Sequence, residues 1–368
     1  MMTQAQPLSK HKSGSFRELL AIQFPILLSL LSGSLLGFVD RIFLSNYSLE
    51  AFKAVSYAIY ICMIFQLGCM KVASASQVLI SRSMGSNKPL LAGAYAWQMI
   101  WCSLISITLT YPLSMAACHT FFDIGSAGTI GMTYFTYLMA FNFLFPLGTT
   151  LASFFCGIGK ARIVTYVTLV SHAVNLSLNY ALIFGVSGWI PSLGAAGAAI
   201  ATGSAQCTYC LILLGIFLSD RFKSYGCRHI GFSLKKAADI LRVGLPAALA
   251  RIHNLVVWSF MMKIVALRGS AHMLAMSYGS ALAFLFGPLN DSSVTALSTL
   301  FSYYIGKKDP AANWKLIVNA HILGLCSWLL ISTLVALFNK VLIHIFVREA
   351  LTPEMFHTLL VNGYGYLG

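Results

Sequence analysis

The sequence predicts an all-α integral membrane protein of two parallel six-helix lobes, the second incomplete, with about ten transmembrane segments of roughly 20 residues each. Three observations predict it. Hydrophobic residues make up 58% of the 368 residues and charged residues 9%, with a mean hydropathy of +0.78, whereas a soluble domain carries about 25% charged residues. The apolar residues fall into runs of span length. Landmark residues recur at a fixed offset of 221 positions. Such a composition cannot cover a water-facing surface. It excludes a soluble enzyme and a nucleic-acid-binding domain, despite a formal net charge of +14.

The N-terminus is polar and basic as far as Gly14. The first apolar run starts near Leu19 and reaches Val39, longer than the roughly 7–15 residues of a signal-peptide core, so it is read as a retained span. The spans are 18–40, 52–80, 91–117, 129–155, 163–185, 195–218, 237–264, 271–301, 316–346 and 352–368, the last cut within apolar sequence at Gly368. Their connections carry Gly, Pro and charge, as in Gly85-Ser-Asn-Lys-Pro89, Gly188-Trp-Ile-Pro191 and Gly306-Lys-Lys-Asp-Pro310.

Basic residues set the orientation. Of the 24 Lys and Arg, 16 fall on the side of the N-terminus and the 219–236 loop, and 6 on the other. Cytoplasmic loops hold the excess of Lys and Arg, so the expectation is a multi-pass protein of the inner or plasma membrane with its N-terminus in the cytoplasm.

The repeat defines the domains. Pro25 and Pro246 lie 221 residues apart, as do Gly85 and Gly306, Pro89 and Pro310, Tyr57 and Tyr278, and Phe65 and Phe286. One repeat holds six spans, an even number, so both halves enter the membrane in the same sense. Residues 1–218 form an N-terminal six-helix lobe, 219–236 a cytoplasmic loop between lobes, and 237–368 a partial C-terminal lobe of about four helices, by the same span arithmetic.

Ten acidic residues are few enough to weigh singly, and an acid within a span is a functional candidate by default. Asp40 ends the first span in Gly37-Phe-Val-Asp40. Desolvation favours the neutral form of a carboxylate, so such a group can exchange a proton as its surroundings open and close. The alternative is an interfacial Asp paired with Arg41. In span 5, His172, Asn175 and Asn179 share one helix face, either lining a wet cavity or joining helices. Span 6 opens on the small-residue face Gly194-Ala-Ala-Gly197, followed by Thr202 and Gln206. Pro25 and Pro246 each remove a backbone donor from their helix and serve as hinges or as static kinks. In the second half the intramembrane polar residues include Arg251, Asn254, Lys263 and Asp291. Lys263 is expected to snorkel to the surface, and Arg251 with Asp291 forms either a structural ion pair or part of a second coupling site.

Two motifs are set aside. Cys207 and Cys210 form a C-x-x-C within an apolar helix, without a second pair or a nearby His. Cys156-Gly-Ile-Gly-Lys160 lacks the first Gly and the Ser/Thr of a phosphate-binding loop. No metal site and no cofactor are expected, and with no ATPase motif ion coupling is the more economical energy source.

Taken together, these residues give a chain that resembles multidrug and toxic compound extrusion (MATE) transporters. The matches are Gly37-Phe-Val-Asp40 after Pro25, Gly157-Ile-Gly-Lys-Ala-Arg162, Asn175-Leu-Ser-Leu-Asn179-Tyr-Ala-Leu-Ile-Phe-Gly185 and Leu193-Gly-Ala-Ala-Gly-Ala-Ala-Ile-Ala-Thr202. The resemblance implies a secondary antiporter, not an enzyme, that exports organic cations or drugs in exchange for protons or sodium ions. It implies Asp40 as the coupling carboxylate, with Asn175, Asn179 and Thr202 as polar partners and Tyr137 as a further one. Two departures stand out. Asn254 occupies the place of an acidic residue in some members, and Asn179 stands where some have Asp. The C-terminal lobe also lacks counterparts of spans 5 and 6. The expected partners are small organic cations and the lipid bilayer, with the chain a monomer. The alternatives are a lipid-linked sugar flippase of related fold, and a truncated, non-transporting remnant or subunit.

Overall fold

The computed structural model describes residues 7–122, 126–186, 189, 191–267 and 270–346. The elements are α1 (Phe16–Tyr47), α2 (Leu49–Ser74), α3 (Ser76–Gly85), α4 (Pro89–Phe121), α5 (Ser126–Ala140), α6 (Leu144–Gly157), α7 (Ala161–Phe184), α8 (Gly194–Leu218), α9 (Leu234–Leu267), α10 (Ser270–Lys307) and α11 (Pro310–Phe346). Among the described residues, seven helices are long and apolar enough to cross a membrane, or eight with a bent pair counted as one span. Eight of the first nine sequence spans coincide with one of these helices or helix pairs. The run 352–368 and the side chain of Lys263 lie outside the described residues. The span at 271–301 lies within α10, whose 38 residues carry the polar run Asn290-Asp-Ser-Ser293 in mid-helix.

Local chemistry places the ends and breaks. Ser15 caps α1 by accepting from the Glu18 amide at 3.3 Å, and Ser48 caps α2 by accepting from Ala51 at 3.3 Å. The α2 and α3 helices form one 37-residue span, Leu49–Gly85, interrupted at Ala75. Between α5 and α6 the span bends by 46°. Pro146 explains the bend, since it has no N–H for the carbonyl of Asn142 four residues earlier; the Phe145 amide takes that carbonyl instead, at 3.2 Å. The α1 and α9 helices run unbroken through Pro25 and Pro246.

The helices α1–α8 of the expected first lobe pack on one another. The small face at the start of α8 does what its composition requires. An added Cβ at Gly197 would lie 2.5 Å from the Leu182 carbonyl oxygen, so α7 and α8 pack backbone to backbone. A buried aromatic cluster, Phe154, Phe155, Phe217 and Phe222, fills the lobe near the N-terminal face of the bundle. Phe222 comes from the segment between the lobes. That segment holds a 3-10 turn (Asp220–Tyr225) and is tied down on α4. The Trp97 indole donates to the Cys227 carbonyl at 2.7 Å, Gln98 donates to the Gly231 carbonyl at 2.9 Å, and Gln98 accepts from the Ser233 amide at 2.6 Å.

The helices α9–α11 of the expected second lobe join these along α10 on α1 and α3, and along α9 on α2. Gly85 lies against the Tyr303 carbonyl and Gly306 against the Arg82 carbonyl. Gln77 donates to Thr299, and Gln23 donates to Ser293 at 2.8 Å. Nearest the N-terminal face, the buried Glu18 carboxylate accepts from the Gly14 amide at 2.8 Å and from the Tyr304 hydroxyl at 2.6 Å, while Asn319 donates to the Gly14 carbonyl at 2.7 Å.

Candidate functional site

Asp40 sits seven residues before the end of α1, where α1 packs on α7. Asn175 and Asn179 are one turn apart on α7, which brings both amides to the same face. The Asn179 Nδ2 donates to Asp40 Oδ1 at 2.6 Å and to Asn175 Oδ1 at 2.8 Å. Asn175 is 2% exposed and Asn179 1%, whereas Asp40 is half-buried. The Asn179 Oδ1 is buried with no partner among the described residues. A buried acceptor left open is costly, so this oxygen marks a place where a donor or a cation would be welcome. Asp40 is not paired with Arg41, and its contact runs across to the neighbouring helix instead.

The other residues singled out in the sequence are placed differently. The Thr202 hydroxyl donates to the Ala198 carbonyl of its own helix at 2.9 Å, the back-bonding common for helical Thr. Tyr137 is 45% exposed. Its neighbour one turn earlier, Tyr134, is buried and within electrostatic range of Asp40. The run Tyr134-Phe-Thr-Tyr137 presents two tyrosines, and helical spacing alone does not decide which faces inward. Pro25 is buried, and its carbonyl accepts from Thr165 at 2.7 Å and from Ser29 at 3.1 Å. Pro246, Arg251, Asn254 and Asp291 are exposed. Arg251 and Asp291 do not pair. The ion pairs among the described residues are Arg228–Asp220, Arg242–Asp239 and Lys307–Asp309, and exposure removes the desolvation cost that would force Arg251 and Asp291 together.

A cavity of about 390 Å³ opens beneath this cluster, on the side toward the N-terminal face. It is lined by α1, α2, α3, α6, α7 and α8, together with Asp291 and Thr295 of α10. His172 lines it, one turn before Asn175, with its Nε2 buried and unpartnered. Gln206 lines it too, holding the Leu144 carbonyl at 3.1 Å just past the α5–α6 bend.

The MatE family model matches residues 25–181, the stretch that contains Pro25, Asp40, Asn175 and Asn179. The probable multidrug resistance protein NorM of Thermotoga maritima is 25% identical over 348 residues, covering 90% of this chain and 72% of the relative. The chain is similar to MATE transporters. The members of that family are transporters, not enzymes, and the family is one of multidrug efflux. The fold agrees. A MATE crystal structure in complex with MaL6 superposes with a TM-score of 0.86 at 18% identity, over 96% of this chain and 79% of that one. An outward-facing conformation of a multidrug resistance MATE family transporter superposes at 0.84 with 16% identity, over 96% of this chain and 78% of that one.

Proposed function

We propose that this chain is a secondary antiporter of the MATE type that exports organic cations in exchange for protons, with Asp40 as the coupling carboxylate. The observation that carries the reading is the Asn179 amide. Its nitrogen donates to the Asp40 carboxylate, and its open oxygen is an acceptor available to a protonated Asp40 after rotation of the amide. One side chain can therefore serve both protonation states. Proton uptake removes the charge that holds Asn179, and α1 then rearranges about Pro25, where the missing donor makes the helix weakest. Pro246 plays the corresponding part in α9. The lobes touch at the N-terminal face, as an outward-open transporter requires if that face is cytoplasmic. The 16 basic residues on that side support a plasma-membrane protein with a cytoplasmic N-terminus. It works as a monomer, with organic cations and the lipid bilayer as its partners.

Dye efflux from everted vesicles under an imposed pH gradient tests the reading. Asp40→Asn abolishes efflux while leaving expression intact. Full efflux by that variant removes Asp40 from the mechanism. Efflux driven equally well by a sodium gradient at constant pH replaces the proton with sodium.

A further inference from the structure

The segment between the lobes shows its apolar side chains outward. Gln98 of α4 brackets Phe232, donating to the Gly231 carbonyl and accepting from the Ser233 amide. Ile230, Phe232 and Leu234 alternate with these clipped residues and are 64%, 58% and 75% exposed. Six basic and two acidic residues fall between Asp220 and Arg242. Asp220 is held by Arg228 at 2.9 Å, and Asp239 lies 3.9 Å from Arg242. Arg221, Lys223, Lys235 and Lys236 make no ion pair among the described residues.

The clip also sets the depth. The 33 residues of α4 span about 50 Å at ~1.5 Å each, against a hydrocarbon core of ~30 Å. Centred in the bilayer, the helix extends about 10 Å past each edge. Gln98 follows Pro89, the first residue of α4, by about 13 Å of helix rise. The clipped stretch therefore lies at the boundary between hydrocarbon and headgroups.

We propose that this segment is a membrane-surface anchor whose partner is the anionic phospholipid of the leaflet on its side. Ile230, Phe232 and Leu234 enter the edge of the hydrocarbon. Lys235 and Lys236, next in sequence, meet the lipid phosphates. Apolar burial and attraction to anionic headgroups add in such a contact, and neutral lipid supplies the first alone. The inference goes beyond the transport reading and concerns none of its coupling residues.

Hydrogen–deuterium exchange of the full chain in nanodiscs tests it, with phosphatidylcholine alone against phosphatidylcholine containing phosphatidylglycerol. Peptides covering residues 228–236 are expected to exchange about tenfold more slowly with phosphatidylglycerol present, given the attraction of each Lys to an anionic surface. In Lys235→Gln/Lys236→Gln that difference between bilayers shrinks to less than about threefold. Its exchange in phosphatidylcholine alone matches the wild type, which also reports that the segment is still folded onto α4. Ile230→Ser/Phe232→Ser exchanges faster in both bilayers. Equal exchange of the wild-type chain in the two bilayers overturns the proposal, as does a full phosphatidylglycerol effect in the double lysine variant. Protection that instead grows with protein concentration in detergent makes a second copy the occupant and overturns it too. Both leaflets of the nanodisc carry the anionic lipid, so the result does not depend on orientation. Asp40→Asn keeps the lipid effect while losing efflux, so the two readings fail separately.

Discussion

Gly85 and Gly306 face each other's helices in a reciprocal crossing. Gly85 of α3 lies against the carbonyl of Tyr303, and Gly306 of α10 lies against the carbonyl of Arg82. Arg82 and Tyr303 are themselves 221 residues apart, as are the two glycines. Asn87 and Lys308, again 221 apart, both take positive φ, 55° and 58°. The repeat is thus realised as a local two-fold contact in which each half uses the same glycine on the other's backbone.

A Cβ at either glycine would overlap a carbonyl oxygen, and neither backbone can yield without parting the helices. Gly85→Ala and Gly306→Ala are each expected to loosen the contact by roughly 1–3 kcal/mol, the cost of overpacking. Spin labels at positions 87 and 308 report the change, with longer distances populated in both variants. A response from only one of the two glycines argues against a symmetric crossing.

The repeat was legible because loops need particular residues. A Gly and a Pro at fixed offset in a short turn survive where apolar span residues interchange freely. The spans were legible for the same reason that the composition was, since lipid tolerates little else. The Asp40–Asn179 contact was half legible. Spacing put Asn175 and Asn179 on one face of α7, but which helix they meet depends on packing. Thr202 and Tyr137 show the limit: a 3.6-residue period orders faces and does not name their neighbours. Glu18 is the clearest omission. It stands at a helix start, where an acid usually serves as a cap and dipole partner, and nothing in the sequence sets it against Tyr304, 286 positions later.

Glu18 leads to a second expectation. Its carboxylate is 2% exposed, and the Tyr304 hydroxyl is one of its close donors. Tyr304→Phe leaves the carboxylate buried with one partner fewer, and is expected to cost about 1–3 kcal/mol. Thermal unfolding of the purified chain measures it. In a Glu18→Gln background the same substitution costs much less, because the charge it served is gone. Additive losses in that double-mutant cycle would show that the two side chains do not act together.

A third prediction concerns the candidate site. Asn179→Leu removes the donor at 2.6 Å from Asp40 Oδ1 and the link to Asn175. Gradient-driven efflux is expected to fall to the level of Asp40→Asn. The double variant Asp40→Asn/Asn179→Leu should be no worse than either single one, since both break one unit. A further drop in the double variant would assign Asn179 a role independent of Asp40.

The last prediction uses the segment between the lobes. Cys227 is wholly buried, and its carbonyl accepts from the Trp97 indole. Burial pushes its thiol up to about 12. The thiolate is the reactive form, so at pH 8 almost none is present and access is blocked as well. Mass spectrometry after N-ethylmaleimide treatment should therefore find Cys227 unmodified in the folded chain at pH 8. Trp97→Phe removes the donor that pins this stretch to α4 and should let Cys227 react, while leaving the core around Phe154 and Phe217 in place. Rapid modification of Cys227 in the wild-type chain would mean that residues 220–233 detach from α4 on the labelling timescale, and that the connection between the lobes is a loose linker.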